Sequence, residues 1–450
     1  MPNPPLQVSG DGSSGRYSNH EWGLALIVMA LCALIIRYCY LTNAMVDHPI
    51  RGDATQYYSY AWNLLHHGTF SMALPGAKTV TADSFRDPGY PVFLAAWMEA
   101  CQSPRTWYWV VLTSQSLLGV LTVIMLVQIA RNWLPDRWLF AAGLLMAVWP
   151  HSITINGYLL SETLFSFLCA AALVLFVSAQ RRSSINWMIA SGLAFSLAAL
   201  TNATLLPFAP LLALYAAIRH RVSARMAIAL AASALLIPAC WNIRNAQLLD
   251  GASSNGRALT NLIQGSWPEY HDSYRKALRG MPEGVRISQA IQNEVDLTLA
   301  HPVDGLRLMK ARIAGEPLRY FAWYLSKPFL FWDWSIRIGQ GDIYIYPTYS
   351  SPFLQNPLLR ALASLCRAAN PMLLILMLIG CVGQLVSKDP HPTGEAAALL
   401  VLYATAVYSL LQAEPRYAIP YRGLEILLAA SALWRLVQVT TRWRDGRSSS

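Results

Sequence analysis

Residues 51–60 read RGDATQYYSY and follow directly on the first long apolar run of the chain. An acid that opens an aromatic helix at the mouth of a membrane has two chemical readings. Asp53 with Gln56 three positions on has capping-box spacing, which satisfies free N–H groups at a helix start. A carboxylate in that place can also take a proton from a nucleophile as a general base. Further ionisable and hydroxyl side chains collect at the same level. They are Asp83, Arg86, Asp87 and Tyr90 in DSFRDPGYP, Glu162 in LLSETLFSFL, Arg244 and Asn245 in CWNIRN, and Glu414, Arg416 and Tyr417 in AEPRYAIP. Tyr57 stands one turn along from Asp53. Acids of this kind handle protons and arginines hold an anion. Each residue also has a structural reading: Glu162 as an ion-pair partner at a helix end, Arg244 and Arg416 as snorkelling side chains, and Asp87 as part of a Pro-Gly turn. Charged groups at membrane depth are costly and are usually paired or functional.

What positions these residues is a membrane bundle. The chain has 450 residues, of which 55% are hydrophobic and only 13% charged, with a mean hydropathy of +0.34. Soluble domains carry about 25% charged residues. Apolar runs near 22–41, 107–130, 138–156, 158–179, 186–201, 203–218, 224–242, 366–387, 395–411 and 419–437 predict about ten transmembrane helices in an all-α polytopic protein. The net charge of +10 comes from short basic clusters between these runs, not from a polybasic face, so no nucleic-acid partner is expected. Arg131 and Arg137, Arg181 and Arg182, the RHRVSAR stretch, Lys388 and the arginines of 442–447 share one side if both termini are cytoplasmic. That arrangement sends 42–106 and 243–365 to the outer side of the membrane. The run LRYFAWYLSKPFLFWDW, 318–334, reads as an interfacial or re-entrant helix, because a full span would invert everything after it. The organisation expected is a disordered tail over 1–20, a catalytic membrane module over 21–242, an outer loop over 243–365, and helices with a basic tail over 366–450. The seven cysteines lie in or beside apolar segments without CxxC spacing, and no His/Cys pattern indicates a metal; no cofactor is expected.

The order of motifs resembles the GT-C glycosyltransferase superfamily, in the bacterial branch related to protein O-mannosyltransferases and lipid A aminoarabinose transferases. The resemblance lies in GDATQYYSYAWNLLHHGTF, RDPGYPVFLAAW, SETLFSFL, ALTNATLLPFAP, WNIRN and EPRYAIP, in that order, and covers roughly 22–437. It implies transfer of a sugar from a polyprenyl-phosphate carrier to an acceptor hydroxyl of a protein, lipid A or another glycan. It further implies Asp53 as base, Arg86 and Arg244 as holders of the donor phosphate, and Arg416 near the same site. Two departures stand out: Ala54 where many relatives have a second acid, and Phe85 where the aminoarabinose group tends to carry one. Asp83 or Asp87 is then the candidate for any second carboxylate. The competing readings are a transporter or flippase for a lipid-linked sugar and an O-antigen polymerase or ligase.

Overall fold

The computed structural model describes residues 16–101, 103–248, 254–387 and 391–448. Helix α1 (Asn19–Asn43) leads through a short strand β1 (Met45–Val46) to α2 (Asp53–His67), α3 (Gly89–Ala100) and the long α4 (Pro104–Ala130). Next come α5 (Asp136–Val148), α6 (Pro150–Thr154), α7 (Glu162–Arg182), α8 (Ile185–Thr201), α9 (Phe208–Ile218) and α10 (Ala224–Ala246). A helical loop region follows: α11 (Ser254–Ser266), α12 (Tyr270–Leu278), α13 (Pro282–Ala300), α14 (Pro302–Gly315) and α15 (Pro317–Phe331). Strand β2 (Thr348–Tyr349) pairs antiparallel with β1. The chain ends with α16 (Pro352–Gln355), α17 (Pro357–Val386), α18 (Pro392–Leu410), α19 (Pro415–Ala418) and α20 (Arg422–Ser448).

All ten apolar runs are helical, but not all cross as single straight rods. Among the described residues, seven helices are long and apolar enough to span, and the pair α5 with 150–157 makes an eighth if counted as one span bent by 53°. The runs 185–201 and 203–218 form shorter apolar helices. The bend has a chemical cause. Pro150 lacks an N–H, and Trp149 is extended at ψ 118°, so carbonyls around the break lose their helical donors. Such groups need partners in an apolar medium. Arg37, buried within α1, supplies them: its guanidinium donates to Ala147 O (3.1 Å), Ser152 O (3.3 Å), Ala33 O (3.2 Å) and Asn156 Oδ1 (3.3 Å).

The two ends of the bundle are built differently. At one end the chain start meets the 131–136 turn: Arg16 and Arg131 both bond Asp136, and Tyr17 N donates to it at 2.7 Å. The unstructured start expected over 1–20 is therefore too long. Residues 1–15 lie outside the described residues, but 16–20 are ordered by Asp136 and by the Ser18–Glu21 capping box of α1. Lys388 also lies outside them. Arg219 and Arg221 meet Glu395 at this same kind of end, tying the α9–α10 turn to the start of α18. At the opposite end, loop residues roof the bundle. Thr154 Oγ1 donates to Ile343 O (2.9 Å), Tyr158 and Thr348 hydroxyls lie 3.0 Å apart, and Asn202 donates to Tyr408 (2.9 Å). Helix α15 has 15 residues, about 22 Å at 1.5 Å per residue, which is short for a span. It leaves Leu318, Phe321, Leu325 and Phe329 exposed along one face.

Replacing Arg37 with Leu removes its bond to Ala147 O at the break, whereas Ser152 O keeps Asn156 Nδ2 at 2.8 Å. The expected cost is about 1–3 kcal/mol, read as a lowered thermal midpoint in detergent. Arg37→Lys should fall between, because an ammonium reaches fewer of the four acceptors. An unchanged midpoint for Arg37→Leu would show that the break does not depend on this side chain.

Candidate active site

Gly52 sets the direction of α2. Its φ of +54° is a left-handed conformation that glycine adopts without strain, and Tyr346 OH fixes the preceding carbonyl, Arg51 O, at 3.0 Å. The helix start has no side-chain cap. The capping-box expectation for Asp53 and Gln56 is thus overturned: both side chains are drawn to Arg86 instead. Arg86 Nη2 donates to Asp53 Oδ1 and its Nε to Gln56 Oε1, each at 2.5 Å. Asp53 Oδ2 accepts from Arg416 Nη2 at 2.7 Å, and Arg416 Nε donates to Glu162 Oε1 at 2.5 Å. Four charged side chains from α2, the 68–88 loop, the start of α7 and α19 therefore form one continuous cluster. Two carboxylates meet two guanidiniums, so the cluster is neutral as it stands.

Aromatic side chains wall this cluster. The Arg86 guanidinium lies 5.0 Å from the Tyr57 ring centre, a cation–π distance, and the Tyr57 hydroxyl is 3.4 Å from Ser161 Oγ. Tyr57 meets Tyr90 edge-on at 5.0 Å, and Tyr90 OH donates to Gln115 Oε1 at 2.7 Å. Tyr417 stacks on Tyr408 at 5.3 Å with the Arg416 guanidinium 5.7 Å from its ring. Tyr90 takes its place because α3 starts at Gly89, where any Cβ would run into Thr201 and Leu200 O at the end of α8. That is the structural need behind the glycine of RDPGYP.

The remaining predicted residues do other work. Asp83 accepts from Tyr60 OH, from Met72 N (2.7 Å) and from Phe85 N (3.1 Å), which knots the loop before Arg86. Asp87 accepts from Arg257 Nη2 (2.6 Å) and Ala203 N (3.1 Å), joining the loop to α11 and to the 202–205 turn. Neither reaches the cluster of Asp53, so neither substitutes there for the acid missing at Ala54 and Phe85. The second carboxylate of the cluster is Glu162. Arg244 donates to Asp83 O (2.7 Å) and Asn245 Oδ1 (3.1 Å), rests 4.9 Å from the Trp241 ring, and has no ion pair among the described residues. Glu414 turns away from the cluster: its Oε1 accepts from Arg337 N (2.6 Å) and Ile338 N (3.3 Å), and its Oε2 lies 3.1 Å from His271 Nε2. Sequence reasoning missed Arg257, His271 and Tyr346, which sit in the loop region where no recognisable motif singles them out. Among the described residues no group of three or more His, Cys, Asp or Glu could hold a metal ion.

The electrostatics favour an ionised Asp53. Burial alone would raise its carboxyl, but the charges of Arg86 and Arg416, with their hydrogen bonds, hold it well below the usual carboxylate range. The Asp53 side chain keeps 30% of its surface accessible, against 13% for Arg86 and 11% for Arg416. The carboxylate is the part of the cluster a ligand meets first.

A bundle of apolar helices with a helical loop roof over one charged end defines a polytopic membrane protein. Residues 80–243 match the sequence model of the dolichyl-phosphate-mannose-protein mannosyltransferase family. That stretch holds Asp83, Arg86, Asp87, Tyr90 and Glu162, ends one residue before Arg244, and leaves Asp53 and Arg416 outside. The oligosaccharyltransferase AglB from Archaeoglobus fulgidus, solved with an inhibitory peptide and a dolichol-phosphate, superposes with a TM-score of 0.52 at 14% identity, covering 96% of this chain and 52% of that one. The apo form of the oligosaccharyltransferase of the same organism gives 0.50 at 15% identity, with the same coverage of 96% and 52%. This chain thus spans about half the length of those enzymes. ArnT from Cupriavidus metallidurans bound to undecaprenyl phosphate gives a TM-score of 0.38 at 13% identity over 93% of this chain and 79% of that one. No curated protein matches the sequence.

The ion pairs of Asp53 fix the sign of one pH effect. Its folded pKa is depressed, so the stability it adds is fully present above the unfolded value, about 3.9, and is lost as pH falls through the lower folded value. The stability advantage of wild type over Asp53→Asn should be constant above about pH 5 and shrink on further acidification. Thermal unfolding in detergent at stepped pH measures it. An advantage that already declines between about pH 7 and 5 would mean a raised carboxyl and contradict the ion-paired geometry.

Proposed function

We propose that the protein is an inverting glycosyltransferase that moves a sugar from a polyprenyl-phosphate carrier to an acceptor hydroxyl, with its site on the periplasmic side of a bacterial inner membrane. The observation that carries this reading is the partly open Asp53 carboxylate gripped by two arginines at the loop end of the bundle. The fold and the match over 80–243 support the same class of donor. The basic clusters at the other end of the helices support the orientation, by the positive-inside rule. The exposed apolar stripe of α15 suits a helix lying on the lipid surface beside the site.

In this mechanism the acceptor oxygen attacks the anomeric carbon from the face opposite the phosphate. The carbon–oxygen bond to the phosphate breaks, the phosphate leaves on its lipid, and Asp53 takes the acceptor's proton. Attack and departure on opposite faces invert the anomeric centre. Arginines stabilise charge gathering on the leaving phosphate without any proton transfer. Arg86 and Arg244 are the residues for that task, and Arg416 belongs to the same field.

The ion pairs of Asp53 also imply an order of events. With both oxygens bound to guanidinium groups, Asp53 is a weak base. Arg416 is shared with a second carboxylate, Glu162, whereas the other partner of Arg86 is the neutral Gln56. An arriving phosphate therefore competes more easily for Arg86. Its capture would free Asp53 Oδ1, raise the basicity of the carboxylate, and leave Arg416 and Glu162 as its anchor.

Asp53→Asn should cut transfer by about 10²–10⁴-fold while donor binding persists. Arg86→Ala and Arg244→Ala should mainly weaken donor binding. Native mass spectrometry of Asp53→Asn protein, purified gently from its own membranes, identifies the retained lipid. A polyprenyl-phosphate bearing a sugar supports the reading and gives the mass of the sugar. Phospholipid alone, both here and in wild type supplied with extracted lipid-linked sugars, would favour a transporter. Wild-type transfer rates in Asp53→Asn would remove the assigned base.

A further inference from the structure

Beside the charged cluster, the loop region contains a separate cleft of about 380 Å³ between α12, α15 and the 333–337 segment. Small-molecule sites commonly measure about 300–1,000 Å³. Its walls carry Trp323 and Phe329 on one side, both from α15. The polar groups are ion-paired: Asp272 holds Lys276 at 2.9 Å and Arg275 at 3.8 Å, Lys276 in turn meets Glu283 at 3.2 Å, and Asp333 pairs with Arg337 at 3.1 Å. Arg337 Nε is enclosed and has no acceptor among the described residues. At the inner wall stands His271, which meets Glu414, two residues before the Arg416 that holds Asp53. Through the His271–Glu414 contact the cleft wall is thus linked to the turn that carries Arg416.

The chemistry of the walls selects among ligands. With Lys276 and Glu283 included, three acids and three cations balance, so a strongly anionic ligand meets as much repulsion as attraction. An apolar chain would strand Arg337 Nε and the charged side chains without water. A neutral polyhydroxylated ring suits both kinds of wall. Its C–H face packs on an aromatic ring, while carboxylate and guanidinium edges accept from and donate to neighbouring hydroxyls. We propose that this cleft is an acceptor subsite that binds a neutral carbohydrate unit, and that the 414–416 turn sets its distance from Asp53. The proposal rests on the glycosyltransferase reading for the word acceptor, but the binding of carbohydrate does not.

Ser326 lies exposed on α15 at the cleft, so Ser326→Trp fills the space without changing the buried packing. The test is saturation-transfer-difference NMR on full-length protein in detergent, without donor, using maltose and N,N′-diacetylchitobiose as neutral probes and glucose 6-phosphate as an anionic one. Expected are signals from at least one neutral disaccharide, none from glucose 6-phosphate, and binding weakened about tenfold or more in Ser326→Trp. Asp272→Asn, at an exposed position, should weaken the same probe without filling the cleft. Absence of signal from both disaccharides, preference for glucose 6-phosphate, or equal binding by wild type and Ser326→Trp would overturn the proposal. The lipid that Ser326→Trp retains in native mass spectrometry reports separately on the donor. Loss of carbohydrate with donor retained confirms a distinct subsite, and carbohydrate bound by a protein that retains no polyprenyl-phosphate sinks the donor reading alone.

Discussion

Arg416 holds two carboxylates that are far apart in the chain, Asp53 through Nη2 and Glu162 through Nε. Much of the loop end follows from that double bond. A guanidinium enclosed by helices is tolerable only if its charge is answered, and removing one partner of such a pair leaves an uncompensated charge. The start of α2, the start of α7 and the turn before α20 must therefore converge on one point. Arg86 completes the balance on the other oxygen of Asp53. The arrangement that makes the cluster stable is also what keeps its Asp53 carboxylate a poor base. A phosphate that redistributes those guanidiniums would change both properties together.

The surrounding loops are tied down by polar bonds as well as by apolar side chains such as Trp332, Trp334, Ile343 and Ile345, which join the main core. Asp83 gathers a tyrosine hydroxyl and two backbone N–H groups, Asp87 joins Arg257 to the Ala203 turn, and Glu414 caps two N–H groups of the 337–338 segment. These acids are consumed in building the roof. Arg244 differs. Among the described residues it meets a carbonyl, an amide oxygen and aromatic faces but no carboxylate, and so has positive charge left to attract an anion.

Much of this architecture was legible in the sequence, for reasons tied to particular residues. Every apolar run of about twenty residues became helix, because backbone groups in an apolar medium have few other ways to be satisfied. The grouping of Asp53, Arg86, Glu162 and Arg416 at one rim could be read from their positions relative to those runs. The bend at Trp149–Pro150 was not read, since its stability comes from Arg37 on another helix. Gln56 was read with the wrong partner. Three-residue spacing described a local cap, but an arginine thirty positions away in sequence offered both side chains a charged hydrogen bond.

The sequence by itself determined the membrane class, the approximate spans and the residue types available at one end, since hydropathy and charge placement act locally along the chain. The tertiary structure alone decided which carboxylate joins which guanidinium. Asp83, Asp87, Glu162 and Glu414 are equivalent as acids on paper. Only the packing of α7 against the 415–418 turn makes Glu162 the one that shares Arg416 with Asp53. Ion pairing falls steeply with distance and depends on burial, and neither quantity is written in the spacing of residues along the chain.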